Sequence, residues 1–152
     1  MARCINVLIV EDDPCVLESL AGHLAAMGHR VVPCGNATEA LAALRQEQFQ
    51  LLITDAEMEG INGLELIRHA RKSYPDLSII MMTAYEGKYP MADALLAGAD
   101  GFLSKPFSLR SFSMILERSY WEAVSRPDWW DRNMRSQNET APKSAAAPSP
   151  AK

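Results

Sequence analysis

The chain has 152 residues, of which 48% are hydrophobic and 22% are charged, and its formal net charge is −4. This size fits one domain of ordinary size with a short appendage, and a mildly acidic chain has no overall attraction for nucleic acid. Three scattered cysteines argue against a disulfide framework, no apolar run reaches the roughly 20 residues of a membrane helix, and no leader-like segment opens the chain, so we expect a cytoplasmic protein with no membrane segment.

Short apolar runs alternate with segments whose apolar residues recur at helical spacing. The first run, 5–10, is rich in β-branched residues and is typical of a strand buried on both faces. Asp13 as N-cap and Pro14 at the first helical position begin a helix that Gly28 ends. Segment 30–33 contains a proline, which indicates an edge strand. The apolar face of the first helix is predicted to comprise Val16, Leu17, Leu20, Leu24 and Met27.

The same alternation continues to the last predicted helix. Asn36 opens the second helix, and Glu39 three residues later completes a capping-box pattern. The remaining predicted elements are strands at 49–54, 77–82 and 100–104 and helices at 63–73, 89–97 and 109–124. Five strand–helix units predict a doubly wound α/β fold, with a parallel five-stranded sheet and helices on both faces. The flavodoxin-like strand order 2-1-3-4-5 fits best, and it places the active crevice beyond the carboxyl ends of strands 1 and 3.

The composition of the last residues differs from that of the rest of the chain. From residue 133 onward, Ala, Pro, Ser, Asn, Gln and Lys dominate, and such a segment buries too little apolar surface to order itself. We therefore predict one domain at 1–125 and a largely disordered C-terminal tail at 126–152. The tail is too short and too polar for a helix-turn-helix module, so we expect a stand-alone domain. Trp121, Trp129 and Trp130 either cover the end of the last helix or dock a partner.

Polar side chains stand at the carboxyl ends of four predicted strands. In chain order these are Glu11 and Asp12, then Asp55, Thr83 and Lys105. Three carboxylates within a few ångströms repel one another, so such a cluster either raises its pKa values or holds a cation. Because neither histidine nor cysteine accompanies them, the oxygen ligands favour Mg²⁺ (or Mn²⁺) over zinc or copper.

The same set of residues suits phosphoryl transfer. A carboxylate is itself a nucleophile that forms an acyl phosphate. A lysine and a hydroxyl, together with a metal ion, stabilise the charge on the oxygens of the transferring group. Each feature alone is commonplace, but their arrival in order at four strand ends predicts one phosphoryl-accepting site.

Four segments carry a more specific pattern. They are Val-Leu-Ile-Val-Glu-Asp-Asp at 7–13, Leu-Leu-Ile-Thr-Asp at 51–55, Met-Met-Thr-Ala at 81–84 and Gly-Ala-Asp-Gly-Phe-Leu-Ser-Lys-Pro-Phe at 98–107. Together they resemble the receiver domain of bacterial two-component response regulators, over roughly residues 3–118. The resemblance implies a phosphorylation-dependent signalling switch, which catalyses the acceptance and loss of its own phosphoryl group and is not a turnover enzyme.

The resemblance implies a metal-assisted phosphoacceptor. Asp55 corresponds to the residue that takes the phosphoryl group. Glu11 and Asp12 correspond to the acidic pair, with Asp12 the more direct metal ligand, and the backbone carbonyl of Glu57 completes the protein's share of the metal shell.

The resemblance also implies a set of switch residues. Thr83 corresponds to the switch hydroxyl, and the backbone N–H of Ala84 faces the phosphoryl group. Lys105 corresponds to the lysine that pairs with that group, and Phe102 to the aromatic switch. The bond between Lys105 and Pro106 is often cis in this family.

Several partners follow from the resemblance. The phosphodonor would be a sensor histidine kinase or a histidine phosphotransfer protein. The output would pass to an unknown protein target through the face of the fourth helix, fifth strand and fifth helix, which could equally form a homodimer. Direct contact with nucleic acid and contact with a membrane are not expected.

This sequence departs from the family near the phosphoacceptor. Glu59 stands where the family often has proline. The resemblance implies that Glu57 and Tyr85 occupy the two positions that, in the family, tune how fast the phosphoryl group is lost. The carboxylate of Glu57 would either repel attacking hydroxide or orient a water molecule, and the sequence leaves both open.

Other functions compete with this interpretation. A pseudo-receiver that acts only as a docking module would not bind Mg²⁺, and the intact Asp55, Thr83 and Lys105 argue against it. A flavodoxin-like flavin carrier needs a phosphate-binding loop of Ser, Thr and Gly after the first strand, where this chain has acidic residues. A phosphatase of the haloacid-dehalogenase type needs an Asp-x-Asp nucleophile there, which this sequence lacks.

Overall fold

In the computed structural model, the described residues are 4–83 and 91–124, and they form five strands that alternate with five helices. The strands are β1 (Asn6–Val10), β2 (Arg30–Cys34), β3 (Leu51–Asp55), β4 (Ser78–Thr83) and β5 (Gly101–Ser104). The helices are α1 (Pro14–Ala26), α2 (Ala37–Gln46), α3 (Gly63–Ser73), α4 (Met91–Ala97) and α5 (Leu109–Val124). All paired strands are parallel, in the order β2-β1-β3-β4-β5, which confirms the predicted doubly wound α/β sheet.

The alternation of side chains along the strands divides the core into two layers. Leu8 and Val10 of β1 pack with residues of α2, α3 and α4 on one face of the sheet. Val7 and Ile9 pack with residues of α1 and α5 on the other face. Full burial of each such aliphatic side chain contributes roughly 1.5–3 kcal/mol, so the central strands are held from both sides. The well-packed sheet therefore supports the side chains at the ends of its strands.

The strand register brings the carboxyl ends of β3, β4 and β5 to one edge. Asp55 lies beside Met82, and Thr83 lies beside Ser104. Asp55 and Thr83 are the last residues of their strands, and not the residues directly after them as predicted. The reason is that the backbone pairing continues through these polar residues: the amide of Lys105, for example, donates to the carbonyl oxygen of Thr83 at 2.6 Å.

Local side-chain caps begin the first two helices. Asp13 is the N-cap of α1, as predicted, and its carboxylate accepts from the backbone N–H groups of the first turn. Asn36 caps α2 by accepting from the backbone N–H of Glu39 at 2.8 Å. In a capping box, the Glu39 carboxylate would accept from the backbone N–H of Asn36. Here it accepts from the N–H of Gly35 at 2.8 Å.

The end of α1 corrects one prediction about the core. Met27 was expected on the buried face of the helix, but it is 41% exposed. The helix ends at Ala26, so Met27 is the C-cap and its side chain leaves the buried stripe. Gly28 follows with φ of 92°, a left-handed conformation that favours glycine and ends the helix as predicted.

Some predicted features lie outside the described residues. These are the tail at 126–152 with Trp129 and Trp130, together with Ala84 and Tyr85. The boundary at residue 125 and the roles of these residues therefore stay predictions. Among the described residues, no helix is both long enough and apolar enough to cross a membrane.

His29 is buried just before β2, and its ring accepts a hydrogen bond. The backbone N–H of Ile5 donates to Nδ1 at 3.3 Å, and burial lowers the pKa of His29 below its ordinary value. The unfolded chain therefore binds a proton more readily than the folded chain, so stability rises with pH and is lost as pH falls below about 6.5. We expect the free energy of unfolding to fall over this range, as measured by urea titration.

The variant His29→Gln keeps an acceptor without a titratable ring, so we expect it to lose this part of the pH dependence. His69→Gln, an exposed position on α3, is the matched control and should behave like the wild type. An unchanged pH dependence in His29→Gln would contradict the assignment.

Candidate functional site

Three carboxylates meet at the carboxyl ends of β1 and β3. Glu11 and Asp12 follow β1 and Asp55 ends β3, and one carboxylate oxygen of each lies within 4.8 Å of the other two. Glu11 and Asp55 are buried, with 2% and 4% exposure, whereas Asp12 is exposed. The convergence predicted from the strand order is therefore found for these three side chains, and the cluster has one side open to solvent.

Lys105 enters the same cluster from the end of β5. Its Nζ donates to Glu11 Oε2 at 2.7 Å and to Asp55 Oδ2 at 3.3 Å. The lysine side chain is 20% exposed, so the two ion pairs are largely shielded from water. The bond from Lys105 to Pro106 is cis, as the family resemblance implies.

Burial and charge act against each other in this cluster. Burial raises the pKa of Glu11, the hydrogen bond from Lys105 lowers it, and the charge of Asp55 raises it, so that the pKa lies above its ordinary value. Burial alone would lower the pKa of Lys105, but the hydrogen bond to Glu11 and the charge of Asp55 raise it above its ordinary value. One ammonium group among three carboxylates leaves the cluster with excess negative charge, which a further cation would neutralise.

The donor set fits a hard divalent cation. Glu11, Asp12 and Asp55 offer only oxygen ligands, and neither histidine nor cysteine belongs to the group. Mg²⁺ binds through one or two carboxylates and keeps several waters, which suits a cluster with two buried carboxylates and one exposed carboxylate. The side chains present therefore fit the metal that the sequence predicted.

Thr83 and Phe102 lie on one face of the sheet. Thr83 is fully buried at the end of β4, and strand alternation puts it on the same face as Met81. Phe102 lies beside Met81 in the register, is partly buried, and packs against the core layer that includes α3 and α4. This position suits a link between Thr83 and α4, and the switch roles of both residues stay predictions.

Glu57 lies against the phosphoacceptor. Its backbone N–H donates to Asp55 Oδ1 at 3.3 Å, so this oxygen of the carboxylate is held from the loop after β3. Its Oε1 is buried and has no hydrogen-bond partner within the described part of the chain. The metal-binding role of the Glu57 carbonyl stays a prediction. Glu59, two residues later in the same loop, is exposed.

Gly63 shapes the site from the start of α3, and the sequence did not single it out. A Cβ atom on Gly63 would lie 2.2 Å from the carbonyl oxygen of Asp55 and 2.7 Å from Cα of Ala56. The N–H of Gly63 donates to the carbonyl oxygen of Ala56 at 3.0 Å. The N-terminus of α3 thus packs directly on the backbone that carries the phosphoacceptor. The sequence feature that could have indicated this close contact was a glycine at the first position of a predicted helix.

Two cavities flank the cluster. One of about 650 Å³ opens beside Lys105 between α1 and the β5–α5 loop, and it is lined mainly by apolar side chains such as Val16 and Phe107. The other, of about 690 Å³, opens beside Asp12 and is lined in part by Glu39 and Glu59. Asp12 and Lys105 therefore each line an open cavity, whereas Asp55 and Glu11 line neither of the two.

Known proteins are similar to this chain in sequence. The family described as response regulator receiver domain matches residues 7–117. The response regulator protein FleR of Pseudomonas aeruginosa is 38% identical over 113 residues, which cover 74% of this chain and 24% of FleR. The DNA-binding transcriptional regulator NtrC of Azospirillum brasilense is 36% identical over 114 residues, which cover 75% of this chain and 24% of NtrC. The chain thus spans about a quarter of the length of these two relatives.

Solved structures agree. A CheY-like receiver domain protein from Methanospirillum hungatei is 30% identical with a TM-score of 0.76, covering 80% of this chain and 98% of that protein. The chemotaxis protein CheY4 of Vibrio cholerae is 26% identical with a TM-score of 0.73, covering 77% of this chain and 99% of CheY4. This chain therefore belongs to the response regulator receiver domain family of two-component signalling.

Proposed function

We propose that the chain is a phosphorylation-dependent signalling switch that accepts a phosphoryl group on Asp55. The observation that carries the proposal is the setting of this carboxylate: it is buried at a strand end, and Lys105 Nζ lies 3.3 Å from its Oδ2. Glu11 and Asp12 lie close enough to bind a divalent cation together with it. Buried carboxylate, ammonium and metal ligands at one point are the parts that phosphoryl transfer to an aspartate needs.

The reaction proposed for Asp55 is an in-line displacement. A carboxylate oxygen attacks the phosphorus of a phosphohistidine, the P–N bond breaks as the P–O bond of the acyl phosphate forms, and the imidazole leaves with the electron pair. The hydrogen bond from the Glu57 N–H holds Oδ1, which orients the carboxylate for attack. Asp12 and Asp55, with Glu11 and the carbonyl of Glu57, would hold Mg²⁺. The bound ion supplies charge neutralisation on the phosphoryl oxygens.

The proposed switch begins when the product forms. The phosphoryl group adds about two negative charges beside Lys105, so the ammonium then has a more strongly charged partner than Glu11. The hydroxyl of Thr83 moves to donate a hydrogen bond to another phosphoryl oxygen. Phe102 then turns inward and fills the space that the Thr83 side chain has left. These contacts bias an existing equilibrium between inactive and active conformations.

The proposed output face is formed by α4, β5 and α5. Leu95 and Leu96 of α4 and Met114 and Trp121 of α5 are all about half exposed or more, with exposed fractions from 48% to 87%. Large apolar side chains in such positions suit a protein partner. The proposed partner is an unknown protein target. A second copy of this chain could bind the same face and form a homodimer.

The proposed phosphodonor is a sensor histidine kinase or a histidine phosphotransfer protein, in the cytoplasm. The chain catalyses its own phosphorylation and dephosphorylation and does not turn over a separate substrate. NtrC is named as a DNA-binding regulator, but the proposal for this acidic chain is protein contact without direct contact to nucleic acid.

The test is the mass of the intact protein after incubation with acetyl phosphate. With Mg²⁺ we expect the wild type to gain the mass of one phosphoryl group, and with EDTA to gain none. Asp55→Ala is expected to gain none in either case, and Asp93→Ala, an exposed carboxylate on α4, should react like the wild type. A wild-type protein without Mg²⁺-dependent gain would favour the docking pseudo-receiver.

A further inference from the structure

Arg71, in the last turn of α3, uses all five of its guanidinium N–H donors. Nε and Nη2 donate to the carbonyl oxygen of Gly98 at 3.0 and 2.7 Å, and Nη2 also donates to Asp100 Oδ2 at 2.7 Å. Nη1 donates to the carbonyl oxygens of Pro75 and Leu77 at 2.9 and 2.7 Å. Because the guanidinium is a rigid fork, one side chain fixes three segments relative to one another: the loop after α3, the end of α4 and the start of β5.

Asp100 ties this fork to the sheet. Its Oδ2 accepts from the backbone N–H of Ile79 at 2.8 Å, and its own N–H donates to the carbonyl oxygen of Ile79 at 2.7 Å. The side chains of Arg71 and Asp100 are 24% and 20% exposed, so the ion pair is shielded from most of the solvent. The carboxyl end of α4 is thereby joined to β4, a central strand of the rigid core.

Gly98 makes the close approach of Arg71 to α4 feasible. Its φ is +120°, and a Cβ atom there would lie 2.7 Å from Cγ of Arg71. The N–H of Gly98 donates to the carbonyl oxygen of Leu95 at 3.1 Å, and that of Ala99 to Ala94 at 2.9 Å, which together form a Schellman cap. The end of α4 is therefore closed by its own cap and clamped by Arg71.

The body of α4 is held more weakly than this end. Among the side chains that the structure describes in residues 92–97, the buried ones are Ala94 and Ala97, whose single methyl groups bury little apolar area. Leu95 and Leu96 point outward, with 52% and 87% exposure. The helix therefore has a fixed carboxyl end and a lightly packed body, which is the condition for a swing about that end.

We propose that Arg71 is the pivot of α4. When Asp55 is phosphorylated, the end of α4 at Gly98 keeps its position while the beginning of the helix swings about it and reorients the exposed leucines. Arg71 is a positioning residue, because it contacts neither Asp55 nor Lys105 and acts through the backbone of Gly98 and the side chain of Asp100. The inference rests on the proposed function, since it names how the switch reaches its output face.

The test uses two-dimensional ¹H–¹⁵N spectra of the full chain, with and without beryllofluoride and Mg²⁺. We expect large shifts at Thr83 and Lys105 and at the beginning of α4, at Ala92 and Asp93. The amide of Gly98 and the Nε–H of Arg71 should shift little. Shifts at Gly98 and Arg71 as large as those at Thr83, or no shift at the beginning of α4, would overturn the pivot alone. No shift at Thr83 and Lys105 would overturn the proposed function, and the pivot with it.

A conservative variant separates a pivot from a merely structural side chain. Arg71→Lys keeps the charge and loses the fork, so we expect the beryllofluoride-induced shifts to spread to Gly98 and Ala99. Arg68→Lys, an exposed arginine on the same helix, is the matched control and should keep the wild-type pattern. A lower melting temperature with an unchanged pattern of shifts in Arg71→Lys would contradict the pivot. If that variant does not fold, Asp100→Asn serves in its place, because it removes the charged partner and keeps an acceptor for Ile79.

Discussion

Replacing Lys105 by glutamine is expected to slow the uptake of a phosphoryl group on Asp55 by about 10²–10³-fold. The ammonium group contacts Asp55 Oδ2 at 3.3 Å, where charge develops as the phosphoryl group transfers. Glutamine keeps a hydrogen-bond donor on a side chain one atom shorter, so the variant removes the positive charge and part of the reach towards Asp55. The measurement is the rate of mass gain from acetyl phosphate at saturating Mg²⁺.

The same variant should also lose stability in a way that Mg²⁺ repairs. Glu11 is 2% exposed and loses its 2.7 Å partner, so its buried charge is left without the ammonium. Removing one partner of a fully buried pair costs about 3–5 kcal/mol, and because Lys105 is 20% exposed we expect about 2–3 kcal/mol in EDTA. Bound Mg²⁺ then stabilises the folded state by mass action, by more than it stabilises the wild type.

Lys72→Gln, at an exposed position on α3, is the matched control for both measurements. It should keep the phosphorylation rate and the stability of the wild type. A Lys105→Gln protein that is phosphorylated at the wild-type rate would show that Lys105 plays no part in the transfer.

Gly63→Ala is expected to destabilise the protein by about 3 kcal/mol, at the upper end of the usual range for overpacking. The added Cβ meets the backbone of Asp55 and Ala56, which cannot rotate away as a flexible side chain would. Because relief of this clash moves the backbone of Asp55, we also expect slower phosphorylation in the fraction that folds. Urea titration and acetyl phosphate reactivity measure the two effects.

Gly22→Ala provides the opposite expectation with the same chemical change. Gly22 lies within α1, and apart from its chain neighbours and the helix's own backbone no atom lies within 4 Å of a Cβ built there. Alanine is the better helix former, so we expect a gain of roughly 0.5–1 kcal/mol. Equal effects of the two substitutions would contradict the role assigned to Gly63.

The sequence predicted those parts of the fold that depend on local pattern. The bounds of α3 agree with the structure at 63–73, and so does the start of α5 at residue 109, because apolar spacing at 3.6 residues marks both helices. The strand ends at Asp55 and Thr83 were placed one residue early, because a polar residue after an apolar run resembles the start of a loop. Pairing with neighbouring strands extends β3 and β4 through these residues, and no local pattern carries that information.

In the candidate site, too, some features could be predicted from the sequence and others could not. Glu11, Asp55 and Lys105 were expected to converge, because the carboxyl ends of parallel strands share one edge of the sheet. The shorter contact of Lys105 with Glu11 than with Asp55 was not predictable, since it depends on side-chain distances across 94 positions of sequence. The approach of Gly63 to Asp55 and the fork of Arg71 likewise arise only when helices pack on the finished sheet.

The most direct test of the central claim, that Glu11, Asp12 and Asp55 form one cation site beside Lys105, is paramagnetic broadening by Mn²⁺ in ¹H–¹⁵N spectra. We expect the amide signals of these four residues to broaden first as Mn²⁺ is added, and Asp12→Asn to require much higher Mn²⁺ concentrations for the same effect. Broadening that is strongest at Glu59 in the neighbouring cavity, and unchanged by Asp12→Asn, would contradict the claim.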